Sequence, residues 1–147
     1  MSRLIVEFSE FDRKTNRGFT VSVLFQAMND SALRGTIGEK MACTYLERLG
    51  YRIVERNWKY GRYEIDILAW HDNVLVVIEV KTRADGYYRP EHFVSRNQWY
   101  NIAFATGRYM DEIGYEWEVR FDIVAITIQT RGSRVTHFKD VFFPGRS

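Results

Sequence analysis

The sequence has little cysteine or histidine, and no apolar run long enough to cross a membrane. Cys43, the single cysteine among 147 residues, can form no internal disulfide, as is typical of proteins in the reducing cytoplasm. One cysteine and three scattered histidines do not make a zinc site. No positively charged start leads into a compact apolar segment with a small-residue cleavage site. We therefore expect a cytoplasmic protein without membrane association.

Length and composition predict one folded domain with an appendage. A hydrophobic fraction of 46% and an aromatic fraction of 16% are those of a folded chain rather than a disordered one. Residues 4–8 and 21–25 are strand candidates, but neither has an obvious partner, and Met28 precedes the first clear helix. We therefore divide the chain into an N-terminal extension, residues 1–27, and a domain, residues 28–147.

A β-hairpin is predicted where two apolar stretches, 63–70 and 74–83, flank a polar turn. Both stretches are rich in β-branched and large apolar residues, as strands are. If Asp72 and Asn73 are the two turn residues, the turn also sets which residues are opposite each other.

On this register, Asp66 lies opposite Glu79, and Glu64 lies opposite Lys81. Residues two apart on a strand share a face, so these four charged side chains converge on one side. The other face is predicted to carry an unbroken apolar surface made of Ile65, Ile67, Ala69, Val76, Ile78 and Val80. The hairpin thus has a core face, and a charged cluster at the end remote from its turn.

Two opposed carboxylates in such an apolar hairpin need compensation. Contact between Asp66 and Glu79 destabilises the sheet and disfavours the ionised form of each. A divalent cation resolves both problems, since Mg²⁺ selects hard oxygen ligands, and Lys81 adds a positive charge where a phosphate would sit. The alternative is an ordinary Glu64–Lys81 ion pair beside two acids that merely reach solvent. The acid–acid pairing favours a site for Mg²⁺ or Mn²⁺.

Basic residues precede and follow the acidic pair along the chain. They are Arg48, Arg52, Arg56, Lys59, Arg62, Lys81, Arg83, Arg89 and Arg96. A basic surround with an acidic centre suits a polyanion held against a metal, although any single arginine is more simply a solvated surface residue. Tyr87 and Tyr88, in the loop after the hairpin, suit stacking on bases as well as they suit covering the core edge.

Two helices are predicted to flank the strands. Apolar residues recur at spacings of three and four from about Ser31, and Gly50 is a helix stop. Ser95 is a good N-cap for a helix that runs to about Ile113. Glu39 on the first helix points either to the cluster or to solvent, and Gln98 in the first turn of the second is placed to reach the cluster.

Further strands are predicted at 51–59, 117–129 and 134–138. The order of elements is then helix, three strands, helix, two strands. This order predicts a three-layer α/β architecture, a mixed central sheet of about five strands flanked by helices.

Several separated blocks of the chain resemble one family. The blocks are Gly38-Glu39-x-x-Ala42, Gly50-Tyr51-x-Ile53, Arg56-Asn57-Trp58, and residues 64–67, 79–83, 120–125 and 137–142. Together they span roughly residues 33–143 and resemble the YraN-like family of uncharacterised bacterial proteins. That family is similar to the restriction-endonuclease-like superfamily with the PD-(D/E)xK nuclease motif, and in layout to archaeal Holliday-junction resolvases. The resemblance therefore implies a restriction-endonuclease-like fold.

The resemblance also implies roles for single residues. Asp66 matches the first acid of the motif, and Glu79 and Lys81 match its E-x-K. Glu39 matches a helix glutamate beside the metal, and Gln98 falls where related nucleases have glutamine or lysine. The departures are Ile65 for the motif's proline, Tyr63 for a family glycine, and Ile102 for the tyrosine of a Q-x-x-x-Y helix motif.

The implied activity is magnesium- or manganese-assisted hydrolysis of phosphodiester bonds in DNA, including branched or repair intermediates. Asp66, Glu79, Glu39 and the Val80 carbonyl would hold metal, and Lys81 would orient or deprotonate the attacking water. The nucleic acid would be held by Arg83, Tyr87, Arg89, Arg96, Lys59 and Arg62. A resolvase-like protein would be a homodimer. Two alternatives stay open: a nucleic-acid-binding protein without turnover, and an adaptor whose tyrosines and tryptophans contact another protein.

Overall fold

The computed structural model describes residues 2–7, 21–84, 93–129 and 132–141. These residues form six strands and three helices. In chain order they are β1 Ser2–Glu7, α1 Val21–Asn29, α2 Ser31–Arg48, β2 Arg52–Tyr60, β3 Tyr63–His71, β4 Val74–Arg83, α3 Arg96–Ile113, β5 Val119–Thr127 and β6 Arg134–Lys139. From α2 onward, the order of elements is the predicted one.

All six strands belong to one mixed sheet, in the order β1-β6-β5-β4-β3-β2. β4 and β5 are parallel, and α3 lies between them in the chain. The other neighbouring pairs are antiparallel. The middle of β4 and most of β5 are buried, as parallel strands covered on both faces must be. Pairing of β1 with β6 gives the sheet one strand more than the roughly five expected.

Helices cover both faces of the sheet. On one face, Ile37 and Leu46 of α2 share a core with Ile78 and Ile126 of the sheet, and α1 packs against the same core. On the other face lies α3, whose buried side chains share a second core with Leu68, Leu75 and Ile123. The architecture is therefore the predicted three-layer α/β arrangement, and it is consistent with a restriction-endonuclease-like layout.

The N-terminal part departs from the sequence interpretation in two ways. Residues 21–25, expected as a strand, begin the helix α1, while residues 4–7 are a strand as expected but do have a partner, β6. The reason for the first error is the helical spacing of Val23, Leu24, Ala27 and Met28, which all pack against the core beneath α2. Residue 8 lies outside the described residues.

The predicted domain boundary at Met28 falls inside α1. The independence of residues 28–147 from residues 1–27 stays a prediction. Thermal unfolding of a truncated protein that begins at Met28 would test it. Among the described residues, no helix has the length and apolar character that a membrane crossing requires.

Side-chain caps fix where α2 and α3 begin. Asp30 caps α2, because its Oδ1 accepts hydrogen bonds from the N–H groups of Ala32 (2.9 Å) and Leu33 (3.0 Å). Ser95 caps α3 by accepting from the Gln98 N–H at 3.2 Å, which confirms the predicted cap. Ser95 therefore holds the backbone of the first turn of α3, which carries Gln98.

A buried carboxylate ties together β5, β6 and the segment after α2. Both oxygens of the fully buried Asp122 accept from Arg120, Nε and Nη2 each donating at 2.9 Å. His137 Nε2 donates at 2.8 Å, the Asp140 N–H at 3.0 Å and the Tyr51 hydroxyl at 3.4 Å. We call Asp122, Arg120, His137 and Tyr51 the Asp122 cluster.

Hydrogen bonding decides the charge states in the Asp122 cluster. Burial alone would raise the pKa of Asp122, but the bonds from His137 and Arg120 outweigh it and hold that pKa below its usual value. Burial lowers the pKa of His137, which is therefore neutral at neutral pH. In the neutral ring Nε2 carries the proton for Asp122, and Nδ1 accepts from the Tyr45 hydroxyl 3.3 Å away.

Candidate metal and phosphoryl-transfer site

The predicted hairpin is confirmed as β3 and β4. Its ladder runs from His71 opposite Val74 to Ile67 opposite Ile78, which is the predicted register. Asp72 and Asn73 have φ values of 49° and 62°, as both central residues of a type I′ turn must. The turn therefore sets the register that brings Asp66 and Glu79 to the same level of the sheet.

The regular pairing of β3 with β4 ends at Ile67 and Ile78, one step before Asp66. Beyond this point a side chain replaces the backbone pairing, because Asp66 Oδ2 accepts a hydrogen bond from the Val80 N–H at 2.8 Å. A carboxylate thus satisfies a backbone donor in place of a carbonyl. This bond fixes Asp66 against β4, next to Glu79 in the chain.

One part of the predicted hairpin surface is wrong. Ile67 shares the core beneath α2, but Ile65, two residues earlier, shares the core beneath α3, so the apolar surface is not unbroken. On β2, Asn57 lies between the partners of Ile65 and Ile67 and has a left-handed φ of 50°. This left-handed residue lies at the level of Asp66, where the apolar side chains of β3 change from one core to the other.

Glu79 is buried and receives two donors on one oxygen. Lys81 Nζ lies 2.7 Å and Gln98 Nε2 lies 2.6 Å from Glu79 Oε1. Strand β4 and the capped first turn of α3 therefore meet at this carboxylate. The Glu64–Lys81 ion pair of the alternative interpretation is not formed, because Glu64 pairs with Lys59 at 3.3 Å while Lys81 pairs with Glu79.

The surroundings of Asp66 disfavour its ionised form. Its pKa is raised to about 7, first by burial and then by the negative charge of Glu79. The Val80 N–H and the Lys81 ammonium lower that pKa, but they do not offset burial and the neighbouring acid. The charge of Glu39 raises it further. We call Asp66, Glu79, Lys81 and Gln98 the Asp66 cluster.

Glu39 reaches this region because α2 lies very close to β4. A Cβ at position 38 would overlap the side chain of Thr82, so only glycine allows this approach. Glu39 itself accepts a hydrogen bond from Asn57 Nδ2 at 3.0 Å. Its charge acts on Asp66, while its carboxylate is held by β2; a direct role in metal binding stays a prediction.

The donor set fits a magnesium-type cation. In the part of the chain that the structure describes, no three His, Cys, Asp or Glu side chains are grouped so that they could hold a metal ion. The oxygen donors that were predicted for such a cation, and that would hold it here, are the carboxylates of Asp66 and Glu79 with the carbonyl of Val80. Mg²⁺ is commonly held by one or two carboxylates together with waters and substrate phosphates, rather than by a cage of protein ligands. The same hard oxygen donors suit Mn²⁺.

Four of the six predicted nucleic-acid contacts are among the described residues, and they lie at the same end of the sheet as the Asp66 cluster. Arg83 ends β4, Arg96 begins α3, and both are exposed. Lys59 is partly neutralised by Glu64, and Arg62 stacks over the ring of Tyr63, 5.2 Å from its centroid. Tyr87 and Arg89 lie outside the described residues.

Asn57 is a residue that the sequence interpretation missed. It anchors Glu39 and carries the left-handed backbone beside Asp66. The signal was a polar residue in the middle of a strand, of a type that tolerates positive φ. Its meaning depends on α2, which is distant in the chain.

Comparison with known proteins places these features in a family. The family model described as uncharacterised protein family UPF0102 matches residues 38–126, which include all four members of the Asp66 cluster. A UPF0102 protein of Flavobacterium psychrophilum is 34% identical over 110 residues, which are 74% of this chain and 92% of the relative. For a UPF0102 protein of Bacteroides thetaiotaomicron the identity is 38% over 111 residues, 75% of this chain and 92% of the relative. A third, of Cytophaga hutchinsonii, is 40% identical over 95 residues, 64% of this chain and 84% of the relative.

Proposed function

The chain belongs to uncharacterised protein family UPF0102, and for this member we propose a metal-dependent nuclease activity that hydrolyses phosphodiester bonds in DNA. The proposed substrates include branched or repair intermediates, with Mg²⁺ or Mn²⁺ as cofactor. A homodimer is the assembly that a resolvase-like protein would use. The proposal rests mainly on one observation: the half-buried Asp66, which accepts a hydrogen bond from the Val80 N–H, lies beside the buried Glu79. Burial and this neighbouring acid raise the pKa of Asp66 to about 7.

The Asp66 cluster supports this proposal because its charges are those that phosphoryl transfer needs. Two carboxylates and the Val80 carbonyl would hold the cation, which, when bound, supplies Lewis-acid chemistry at the phosphate. The Lys81 ammonium, at 2.7 Å from Glu79 and partly exposed, would orient the attacking water. The same charge would offset the negative charge that develops on the pentacovalent phosphate.

The surrounding residues would position the reacting groups. Gln98 fixes the rotamer of Glu79, and Ser95 fixes Gln98. The water oxygen would attack phosphorus, the bridging P–O bond would break, and the proton that the water loses would be balanced by one gained by the leaving oxygen. The products would be a phosphomonoester and a hydroxyl end. Arg83 and Arg96, both exposed at this end of the sheet, would hold the phosphates on either side.

A cleavage assay tests the proposal directly. The full chain is incubated with Mg²⁺ or Mn²⁺ and labelled duplex, single-stranded, flapped and four-way-junction DNA, with a chelator as control. We expect cleavage of at least one substrate, and a loss of about 100-fold or more in Asp66→Asn, Glu79→Gln and Lys81→Ala. The matched control is Glu64→Gln, an exposed acid on the same strand, which should keep full activity.

Absence of cleavage on all four substrates with both metals, from a protein that is folded by circular dichroism, would contradict the nuclease proposal. Equal activity of Glu64→Gln and Asp66→Asn would contradict the assignment of the site.

A second candidate is a nucleic-acid-binding protein without turnover, and one observation favours it. Lys81 and Gln98 both donate to the same oxygen of Glu79, an arrangement that already neutralises this acid without a cation. Under this alternative, DNA binding falls with rising salt concentration and no product forms with either metal.

A further inference from the structure

Exposed aromatic rings run along the outer side of α3, starting next to the Asp66 cluster. Arg96, Tyr100, Phe104 and Arg108 follow one another at intervals of four residues, so they share one face of the helix. Tyr100 is 61% exposed and Phe104 is 50% exposed. Gln98, in the same first turn as Arg96, contacts Glu79 at 2.6 Å. One end of the aromatic row is therefore at the candidate site.

The turn between β2 and β3 extends this row sideways. The Phe104 ring lies 5.0 Å from the Tyr63 ring and 6.1 Å from the Tyr60 ring, centroid to centroid. Tyr60 is itself 42% exposed. We call Tyr60, Tyr63, Tyr100 and Phe104, with Arg62, Arg96 and Arg108, the aromatic track.

Guanidinium groups are interleaved with these rings. Arg108 lies over the Tyr60 ring at 5.0 Å from its centroid, and Arg62 over the Tyr63 ring at 5.2 Å. Arg108 also pairs with the exposed Asp111 at 3.3 Å, but from Arg96 to Arg108 the helix sequence contains no acidic residue. The surface is thus aromatic and cationic together, rather than simply apolar.

This combination suits a single-stranded nucleic acid. Unpaired bases stack on aromatic side chains whatever their sequence, and guanidinium groups bind the phosphates between them. A duplex keeps its bases stacked inside and offers only its phosphates to such a surface. An apolar contact between two copies of this chain would bring Arg62, Arg96 and Arg108 together with their counterparts, which costs repulsion unless acids face them.

We propose that the aromatic track binds a single-stranded stretch of nucleic acid and leads it to the Asp66 cluster. The binding itself is independent of catalysis. The guiding role rests on the proposed nuclease function, and it specifies that function toward substrates with an unpaired strand beside the cleavage point.

The test is binding in the presence of a chelator, where no cleavage occurs. Fluorescence anisotropy compares a labelled oligothymidylate of about 20 nucleotides, which is longer than one typical binding site, with a blunt duplex of equal length. We expect the single strand to bind more tightly. Tyr100→Ala with Phe104→Ala should weaken it by roughly tenfold per ring, and should leave duplex affinity nearly unchanged.

Two controls separate stacking from folding. Tyr100→Phe keeps the ring and should therefore recover most of the single-strand affinity that Tyr100→Ala loses. Trp117→Ala removes a side chain that is 78% exposed but lies beyond the end of α3, outside the track, and should also bind normally. Because Tyr100 and Phe104 are exposed, their removal should not change the thermal midpoint by more than a few degrees.

Equal affinity for the two oligonucleotides, or an unchanged single-strand affinity in the double variant, would overturn the proposal. If the double variant instead converts a dimer to a monomer, with single-strand affinity unchanged, the track is a contact between copies of the chain. A failure of cleavage together with track-dependent binding would therefore refute the nuclease proposal alone.

Discussion

Asp66 on β3 and Asp122 on β5 belong to the same sheet, but they differ in how many hydrogen-bond donors surround each carboxylate. Asp122 accepts hydrogen bonds from Arg120, His137, Tyr51 and the Asp140 N–H, and its pKa is lowered. Asp66 accepts one hydrogen bond that the described residues provide, from Val80, and a second acid lies beside it. Its pKa is raised to about 7.

The comparison shows what separates a structural acid from a candidate functional one. Burial disfavours the ionised form of both carboxylates, so burial alone does not distinguish them. The difference is compensation: the Asp122 cluster supplies its counter-charge from within the chain, whereas the Asp66 cluster leaves negative charge that an external cation can neutralise. Perturbed acids of the second kind are typical of functional sites.

The largest expected effect is on stability, at Asp122. Asp122→Ala leaves Arg120 without its negatively charged partner, and Tyr51 and His137 without the acceptor that they share. It should therefore lower the free energy of unfolding by about 3–5 kcal/mol. Urea denaturation measures it. The control Asp111→Ala removes an exposed partner of Arg108 and should cost less than about 0.5 kcal/mol. Similar losses in the two variants would mean that the Asp122 cluster is not the tightly compensated site described here.

A smaller effect is expected from metal at the Asp66 cluster. Mg²⁺ or Mn²⁺ should raise the free energy of unfolding, by about 2.7 kcal/mol at a hundredfold excess over Kd. Asp66→Asn should abolish most of this response, whereas Glu64→Gln should keep it. Thermal melts at low ionic strength provide the measurement. A shift that is absent from the original chain, or unchanged in Asp66→Asn, would contradict a cation site at Asp66.

The smallest effect is the pH dependence of stability without metal. Because the pKa of Asp66 is raised from 3.8 to about 7, the folded state holds this proton more tightly than the unfolded state does. The contribution of Asp66 to the free energy of unfolding therefore falls as the pH rises between these two values. Asp122 has the opposite sign, since its stabilisation is present above its usual pKa and is lost as pH falls through its lowered value.

The variant Asp66→Asn keeps the acceptor for Val80 but removes the charge. Above pH 7 it should therefore be more stable than the original chain, by about 1 kcal/mol once the pKa shift of this partly exposed group is discounted for solvent screening, and at pH 4 the two should be equal. Urea denaturation at both pH values gives the comparison. Lower stability of Asp66→Asn at high pH would show that the charge of Asp66 is already compensated.

Local patterns in the sequence predicted the parts of the fold that depend on neighbouring residues. The Asp72–Asn73 turn determines the hairpin register, and Ser95 determines the start of α3, because each acts within a few residues of itself. The same patterns were enough to bring Asp66, Glu79, Lys81 and Gln98 together. For residues 21–25, β-branched side chains suggested a strand although the spacing of the apolar residues was helical.

Local sequence patterns could not predict the contacts between segments that are distant in the chain. The change of face at Ile65 occurs beside Asn57 of the neighbouring strand, a left-handed residue whose side chain contacts Glu39 of α2. The Asp122 cluster joins residues that are up to 71 positions apart in one hydrogen bond, so no periodicity reveals it. Lys81 pairs with Glu79 on its own strand rather than across the hairpin, because β3 and β4 stop pairing before that level.

Titration of the Asp66 carboxyl group tests whether its negative charge is uncompensated until an external cation binds. Carbon-13 NMR of the side-chain carboxyls, with Asp66→Asn to assign the signal, gives its pKa with and without Mg²⁺. We expect the titration of Asp66 to have its midpoint near pH 7 in the absence of metal and to shift clearly downward when Mg²⁺ is added. A midpoint near the ordinary value of 3.8 that does not move with Mg²⁺ would contradict it.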